Sequence, residues 1–184
     1  MTARLSLVIT PLAAASPDVG RFLWTLEDIR AITKRAVVGM DSAALDWEPL
    51  PALNSVGTLL AHIAGVEVGW LYNEVLEQDV PTEVAALLPS ISREPDGHLP
   101  RVVGRLVAEH LAVLDAVRAR LLAVFLPMSA TEYRRIRPLD EYDVTPEWCL
   151  YHLAEHEAAH RGEIETVRTL AEAAIAGEIP QQSL

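Results

Sequence analysis

Apolar residues recur three and four positions apart in four long runs of this chain, the spacing that lines one face of an α-helix. In the first, Phe22, Leu23, Leu26, Ile29, Ile32 and Thr33 predict a helix over about 19–38, with Asp18 as its N-cap and Gly39 as its stop. In the second, Val56, Leu59, Leu60, Ile63, Val66 and Leu71 predict a helix over about 55–77, capped by Ser55 or Asn54. The third, about 101–125, carries Val102, Leu106, Val107, Leu111, Leu114, Val117, Leu121 and Leu122 on its stripe, and Pro127 ends it. The fourth opens at Thr145-Pro146, where the missing proline N–H costs nothing, and runs to about Ala176 before Gly177.

Between these runs lie a loop fixed by Pro49 and Pro51, an irregular stretch at 78–99 with room for a short helix at 82–88, and a charged connector at 128–144. Residues 1–16 read as a leader. The pattern predicts an all-α protein, four amphipathic helices around one core, and hence a four-helix bundle. Its two long connectors allow crossover connections.

Composition and charge narrow this further. A chain of 184 residues has the length of one domain, so 1–184 is expected to fold as a unit. Aromatics are few and Ala, Leu and Val abundant, which favours helices. The net charge of −11 argues against nucleic acid or an anionic membrane as partner, because phosphates would be repelled. No apolar run reaches about 18 residues, so no membrane span is expected. The run from Leu5 to Leu12 mimics an export signal but is short and holds Pro11. Cys149 is the only cysteine, which excludes an internal disulfide and fits a reducing cytoplasm. It reads as a small buried apolar residue.

The candidate chemistry lies in the fourth helix. His152, His156 and His160 stand four residues apart. Each step of four is about 40° of rotation and about 6 Å of rise, so adjacent members share a face. Two such imidazoles can reach one divalent ion; the outer two, about 12 Å apart along the axis, cannot. A metal would therefore take one adjacent pair and complete its shell from elsewhere. His62, among apolar neighbours in the second helix, reads by itself as a hydrogen-bonded core histidine. His98 and His110 read as surface or capping residues. Glu67, Glu155 and Glu157 read as solvated helix charges, with a contact behind the metal ligands as the alternative.

Two stretches carry a resemblance. His156-Glu-Ala-Ala-His160-Arg161-Gly162-Glu163-Ile164 is similar to the HxxxHRGQI signature of the DinB/YfiT-like metalloenzyme superfamily. Trp47-Glu-Pro-Leu-Pro51, followed by Ser55-Val-Gly-Thr-Leu-Leu-Ala-His62-Ile63, resembles that family's W-x-P loop and its S-[IV]-G-x-L-x-x-H-[IL] motif. The likeness spans essentially the whole chain. It implies a DinB/YfiT-like four-helix bundle with crossover connections. It also implies one divalent metal, zinc or nickel first and iron, manganese or copper compatible, on His62, His156 and His160.

Such a set leaves an open coordination position, the pattern of catalytic sites. Relatives of this kind include S-transferases that use bacillithiol or mycothiol, and maleylpyruvate isomerase. The resemblance thus implies a small-molecule substrate, with a thiol bound at the open position as the candidate, and a homodimer. The other reading is a stress-related metal or small-molecule binder without turnover. Glu163 stands where the family usually has glutamine; it keeps an acceptor and adds charge. His152 is expected to line the pocket one turn from the metal. Trp47 and Trp148 are candidates for the pocket's apolar wall, bordered by the loop at 46–54 and the connector at 128–147. The arginines within 134–137 are candidates to hold acidic groups of a thiol.

Overall fold

The computed structural model describes residues 6–50, 53–88, 94 and 98–179. These are mostly helical. Helix α1 spans Pro17–Ala36, α2 Ser42–Asp46, α3 Val56–Gly69, α4 Thr82–Ala85, α5 Val107–Phe125, α6 Ala130–Tyr133 and α7 Pro146–Ile175. A π-helical turn at Trp70–Val75 prolongs α3. Strands β1 (Arg137–Pro138) and β2 (Asp143–Val144) pair antiparallel inside the last connector. Among the described helices none is long and apolar enough to cross a membrane.

The ends of these helices follow from local chemistry. Ser55 caps α3, its Oγ accepting from the Thr58 N–H at 3.2 Å. Thr145 caps α7 in the same way through the Trp148 N–H. Gly39 and Gly177 take φ of 80° and 75° just past α1 and α7, the left-handed conformation that glycine adopts without strain. The expected cap at Asp18 is not formed: Pro17 already opens α1, and Asp18 pairs with Arg134 instead. The helix expected from 101 begins only at Val107, because Gly104 turns the chain at φ 74° and its N–H is held by Asp46 Oδ2 at 2.8 Å. The short helix at 82–88 is confined to four residues.

The leader, so far as it is described, is tied down. The Ala15 N–H donates to Leu126 O at 2.8 Å and the Leu12 N–H to Gly20 O at 3.0 Å. A Cβ at Gly20 would stand 2.3 Å from Leu12 O, so only glycine lets the leader cross α1 there. The start of the signal-like run lies outside the described residues.

Helix α7 packs along α1 and α3, and α3 also along α5. Two apolar groups fill the interior. One gathers Leu45, Leu59, Leu60, Ile63, Leu114, Val117 and Ile164. The other gathers Leu23, Leu26, Leu71, Leu121, Phe125, Leu150 and Leu153.

Near the junction of the two groups, one on each long helix, lie four charges. Arg30 from α1, Glu67 from α3, Arg118 from α5 and Glu157 from α7 are each under 5% exposed. The Arg30 guanidinium donates to Glu157 Oε1 and Glu67 Oε2, both at 2.7 Å. Arg118 donates to both Glu67 oxygens at 2.8 and 2.9 Å and to Glu157 at 3.2 Å. The expectation that Glu67 and Glu157 are solvated is therefore corrected. They face inward because two cations on facing helices neutralise them and fill their lone pairs. Glu155 is exposed, as expected. Burial alone would push the Glu67 carboxyl up, but Arg118 and Arg30 outweigh it and hold it below the usual range.

His110 is also corrected. It is buried, and its Nε2 would lie 3.2 Å from a Cβ placed on Gly57. The glycine of the Ser-Val-Gly stretch is thus the position where α3 meets α5 closely.

Candidate metal centre

Helix α7 is unbroken from 146 to 175, so the three histidines keep their four-residue register along it. His62 reaches them from α3. The structure brings His62, His156 and His160 together, with one ring nitrogen of each within 4.8 Å of the others. The His156 Nε2 lies 3.1 Å from His62 Nε2 and 3.1 Å from His160 Nε2. Two nitrogens on one tetrahedral zinc, at about 2.0–2.1 Å each, would be about 3.3 Å apart. The spacing fits a shared ion.

Proton bookkeeping points the same way. Glu163 Oε2 lies 3.0 Å from His160 Nδ1, and a carboxylate only accepts, so that nitrogen carries its hydrogen. Neutral His160 then turns a lone pair inward. With all three rings neutral, the single Nε2 of His156 cannot be at once donor to His160 and acceptor from His62. One proton satisfies one of these two contacts; a cation between the rings takes a lone pair from each of the three. The donor set, three half-buried imidazoles, suits a borderline divalent metal.

Glu163 stands where a carboxylate behind a metal-bound histidine would stand, at 3.0 Å from His160 Nδ1, and would fix its tautomer and ring orientation. Glu163→Ala is expected to weaken divalent-metal affinity about 10–100-fold, while Glu163→Gln, which keeps a carbonyl acceptor, stays close to the parent. Titration calorimetry with Zn²⁺ checks this, and equal affinities for both variants would remove Glu163 from the site.

His152 stands one turn away. It stacks on Trp148 with centroids 5.1 Å apart and planes within 6°, and its centroid lies 5.8 Å from that of His156. Burial depresses its pKa, with Glu155 opposing, which favours the neutral ring. Trp148 is 45% exposed. Trp47 is half-buried and packs against the first apolar group; among the described residues lining the two cavities below it does not occur.

Both neighbouring loops contribute to cavities. A cavity of about 560 Å³ beside Glu163 is lined by Leu53, Asn54, Leu59, Gly162 and Thr166, among others. A second, of about 660 Å³, lies at the Trp148 end and takes in Val144 and Thr145 of the last connector. The arginines of that connector, expected as candidates to hold acidic groups, are paired within the protein. Arg134 is paired with Asp18 and Glu147, and Arg135 with Glu77 and Glu132. Arg137 is buried, donating to Val75 O and Glu132. These contacts fix the connector against the π turn and α6.

Cys149 is fully buried, and burial, helped by Glu74, pushes its thiol up to about 12. It supplies no thiolate at neutral pH. Sequence reasoning missed Arg30 and Arg118 altogether. The signal was present: both fall on the apolar stripes of their helices, as Glu67 and Glu157 do on theirs, two of each sign.

In a mostly helical fold a histidine of α3 meets two of α7, and the family match made in that setting falls within the DinB/YfiT-like superfamily. Residues 22–173 match the family model described as mycothiol-S-transferase, and the chain belongs to that family. No curated protein matches it.

Proposed function

We propose that this protein is a divalent-metal-dependent thiol S-transferase that joins mycothiol to an electrophilic carbon. The observation that supports this most is the convergence of three imidazole nitrogens, from two distant motifs, in a chain of the mycothiol-S-transferase family. His62, His156 and His160 would hold the ion, zinc or nickel by donor type, with iron, manganese or copper compatible. Once bound, the ion supplies positive charge that lowers the pKa of a thiol beside it, so that thiolate is present at neutral pH.

The chain's own groups do the rest. Glu163 aims His160, and the Arg30–Glu67–Arg118–Glu157 cluster ties α3 to α7, the two helices that carry the imidazoles. Because Cys149 is sealed in the core, the nucleophile is the substrate's sulfur. A carbon–sulfur bond forms, the electrophile's leaving group departs with its electron pair, and the thiol proton passes to solvent. We read the four long helices as a four-helix bundle with crossover connections. We read the protein as a cytoplasmic homodimer.

The cavity beside Glu163 is the place for the thiol. A Cβ at Gly162 would meet no atom within 4 Å, although glycine inside a helix costs about 0.5–1 kcal/mol against alanine. Gly162→Ala is therefore expected to stabilise the fold by about that much while raising KM for the thiol, because the methyl enters the cavity. Thermal melts and steady-state kinetics on one preparation check both halves; an unchanged KM would place the thiol elsewhere.

Incubation of zinc-loaded protein with mycothiol and an electrophilic bimane dye tests the activity. A fluorescent adduct formed above the uncatalysed rate, and lost on chelation, is expected. No adduct with mycothiol or bacillithiol would leave a metal-binding protein without turnover.

A further inference from the structure

The cavity at the Trp148 end has walls unlike those beside Glu163. Trp70, Tyr142 and Trp148 line it, with Ile136 and Thr145. The Trp70 centroid lies 5.2 Å from that of Trp148 and 6.3 Å from that of Tyr142, with planes inclined at 48° and 40°. Three rings so disposed form the sides of a cup. The π turn starts at Trp70, and so breaks the α-helical register where that ring meets the other two.

Among the described residues of the lining, the one charged side chain is an acid. Asp143 is exposed and makes no ion pair among the described residues. Asp140 and Glu141, beside it in the same connector, are exposed as well. The hydroxyl of Tyr142 donates to Glu74 Oε1 at 3.1 Å, which fixes the ring and enriches it in electrons. The arginines nearby are turned away into the ion pairs described above. Aromatic faces carry negative charge and attract a cation within about 6 Å of their centroids. A positive centre among these three rings can lie within that distance of each.

We propose that this cup is a binding site for an organic cation, a quaternary or tertiary ammonium on an apolar or aromatic body. The ammonium sits among Trp70, Tyr142 and Trp148, Asp143 neutralises it, and the apolar body lies along Ile136. The volume of about 660 Å³ is that of a site for a drug-sized ligand. The site adjoins the histidine cluster through His152, whose ring centroid lies 4.7 Å from that of Trp70, 5.1 Å from that of Trp148 and 5.8 Å from that of His156, while Trp148 itself precedes His156 by eight residues, about 12 Å along the helix. It does not rest on the transferase reading. A second copy of the chain fits the same face poorly. Two-fold packing would set Asp140, Glu141 and Asp143 against their own copies, and like charges meeting across an interface are unfavourable.

The test compares 3-hydroxyphenyltrimethylammonium with 3-tert-butylphenol, a neutral molecule of the same shape. Binding to the full chain is followed by calorimetry and tryptophan fluorescence. The cation is expected to bind at least ten times more tightly than the phenol. Asp143→Asn should reduce that ratio severalfold, and Trp148→Ala, at a half-exposed position, should abolish binding of the cation with the circular-dichroism melt retained. Equal or tighter binding of the phenol would overturn the proposal, as would no binding of either. So would cation affinity unchanged in both variants. A parent dimer that Trp148→Ala dissociates, with no affinity for the cation, would show an interface between copies instead.

Discussion

Arg118→Ala is expected to lower the stability of this protein by about 3–5 kcal/mol, which at this chain length is a fall in melting temperature of roughly 6–20 °C. The size follows from what is left behind. Glu67 is 2% exposed and accepts two hydrogen bonds from Arg118, at 2.8 and 2.9 Å, so removing the guanidinium strands a carboxylate in the core. Arg30 alone cannot neutralise Glu67 and Glu157 together. The net value of the intact cluster is much smaller, because bringing four charges out of water nearly cancels their attraction. Replacing Arg118 and Glu67 together by leucine should therefore cost less than the single change, though Glu157 and Arg30 remain to be paired. Urea unfolding of the three proteins measures this. A loss below about 1 kcal/mol for Arg118→Ala would mean that water or a rearranged Arg30 takes over the pairing.

The same cluster sets a pH dependence. Glu67 is held below its ordinary carboxylate range in the folded protein. Its contribution is complete above the unfolded value of about 4.3 and is lost as pH falls through the lower folded value. Stability should thus be flat in this respect near neutrality and drop in acid. Glu67→Gln should flatten that acid limb.

His156→Ala is the second large expected effect. Its Nε2 is the one that stands 3.1 Å from both other ring nitrogens, so its loss opens the middle of the cluster. A metal that binds only the folded chain adds about 2.7 kcal/mol at a hundred times its dissociation constant, roughly 5–11 °C in melting temperature. That rise should vanish in the variant, and thiol transfer should fall to the uncatalysed rate. The fold itself should survive, because His156 is only half-buried. A variant that keeps the parent's thermal response to zinc would show that the metal sits elsewhere.

How much was legible in the sequence depended on the kind of signal. Stripes such as Leu23, Leu26 and Ile29, or Leu114, Val117 and Leu121, carry helix period directly, so the long helices were placed within a few residues. Boundaries failed where side chains from elsewhere intervene, as at Gly104, whose turn is held by Asp46. The meeting of His62 with His156 and His160 is a long-range contact that no spacing reveals; only the likeness of both motifs to one family pointed to it. The charged layer was hidden for a related reason. A lone arginine on an apolar stripe reads as a surface residue until its partner on another helix is known. Arg30, Glu67, Arg118 and Glu157 explain one another only when taken together.

Calorimetric titration of metal-stripped protein with Zn²⁺, run on the parent and on His62→Ala, His156→Ala and His160→Ala, tests the central claim most directly. One ion per chain is expected for the parent, with affinity reduced by at least about 10–100-fold in each variant, no less than removal of a group behind a ligand costs. No binding by the parent, or parent-like affinity in any one of the three variants, would contradict a centre built on these histidines.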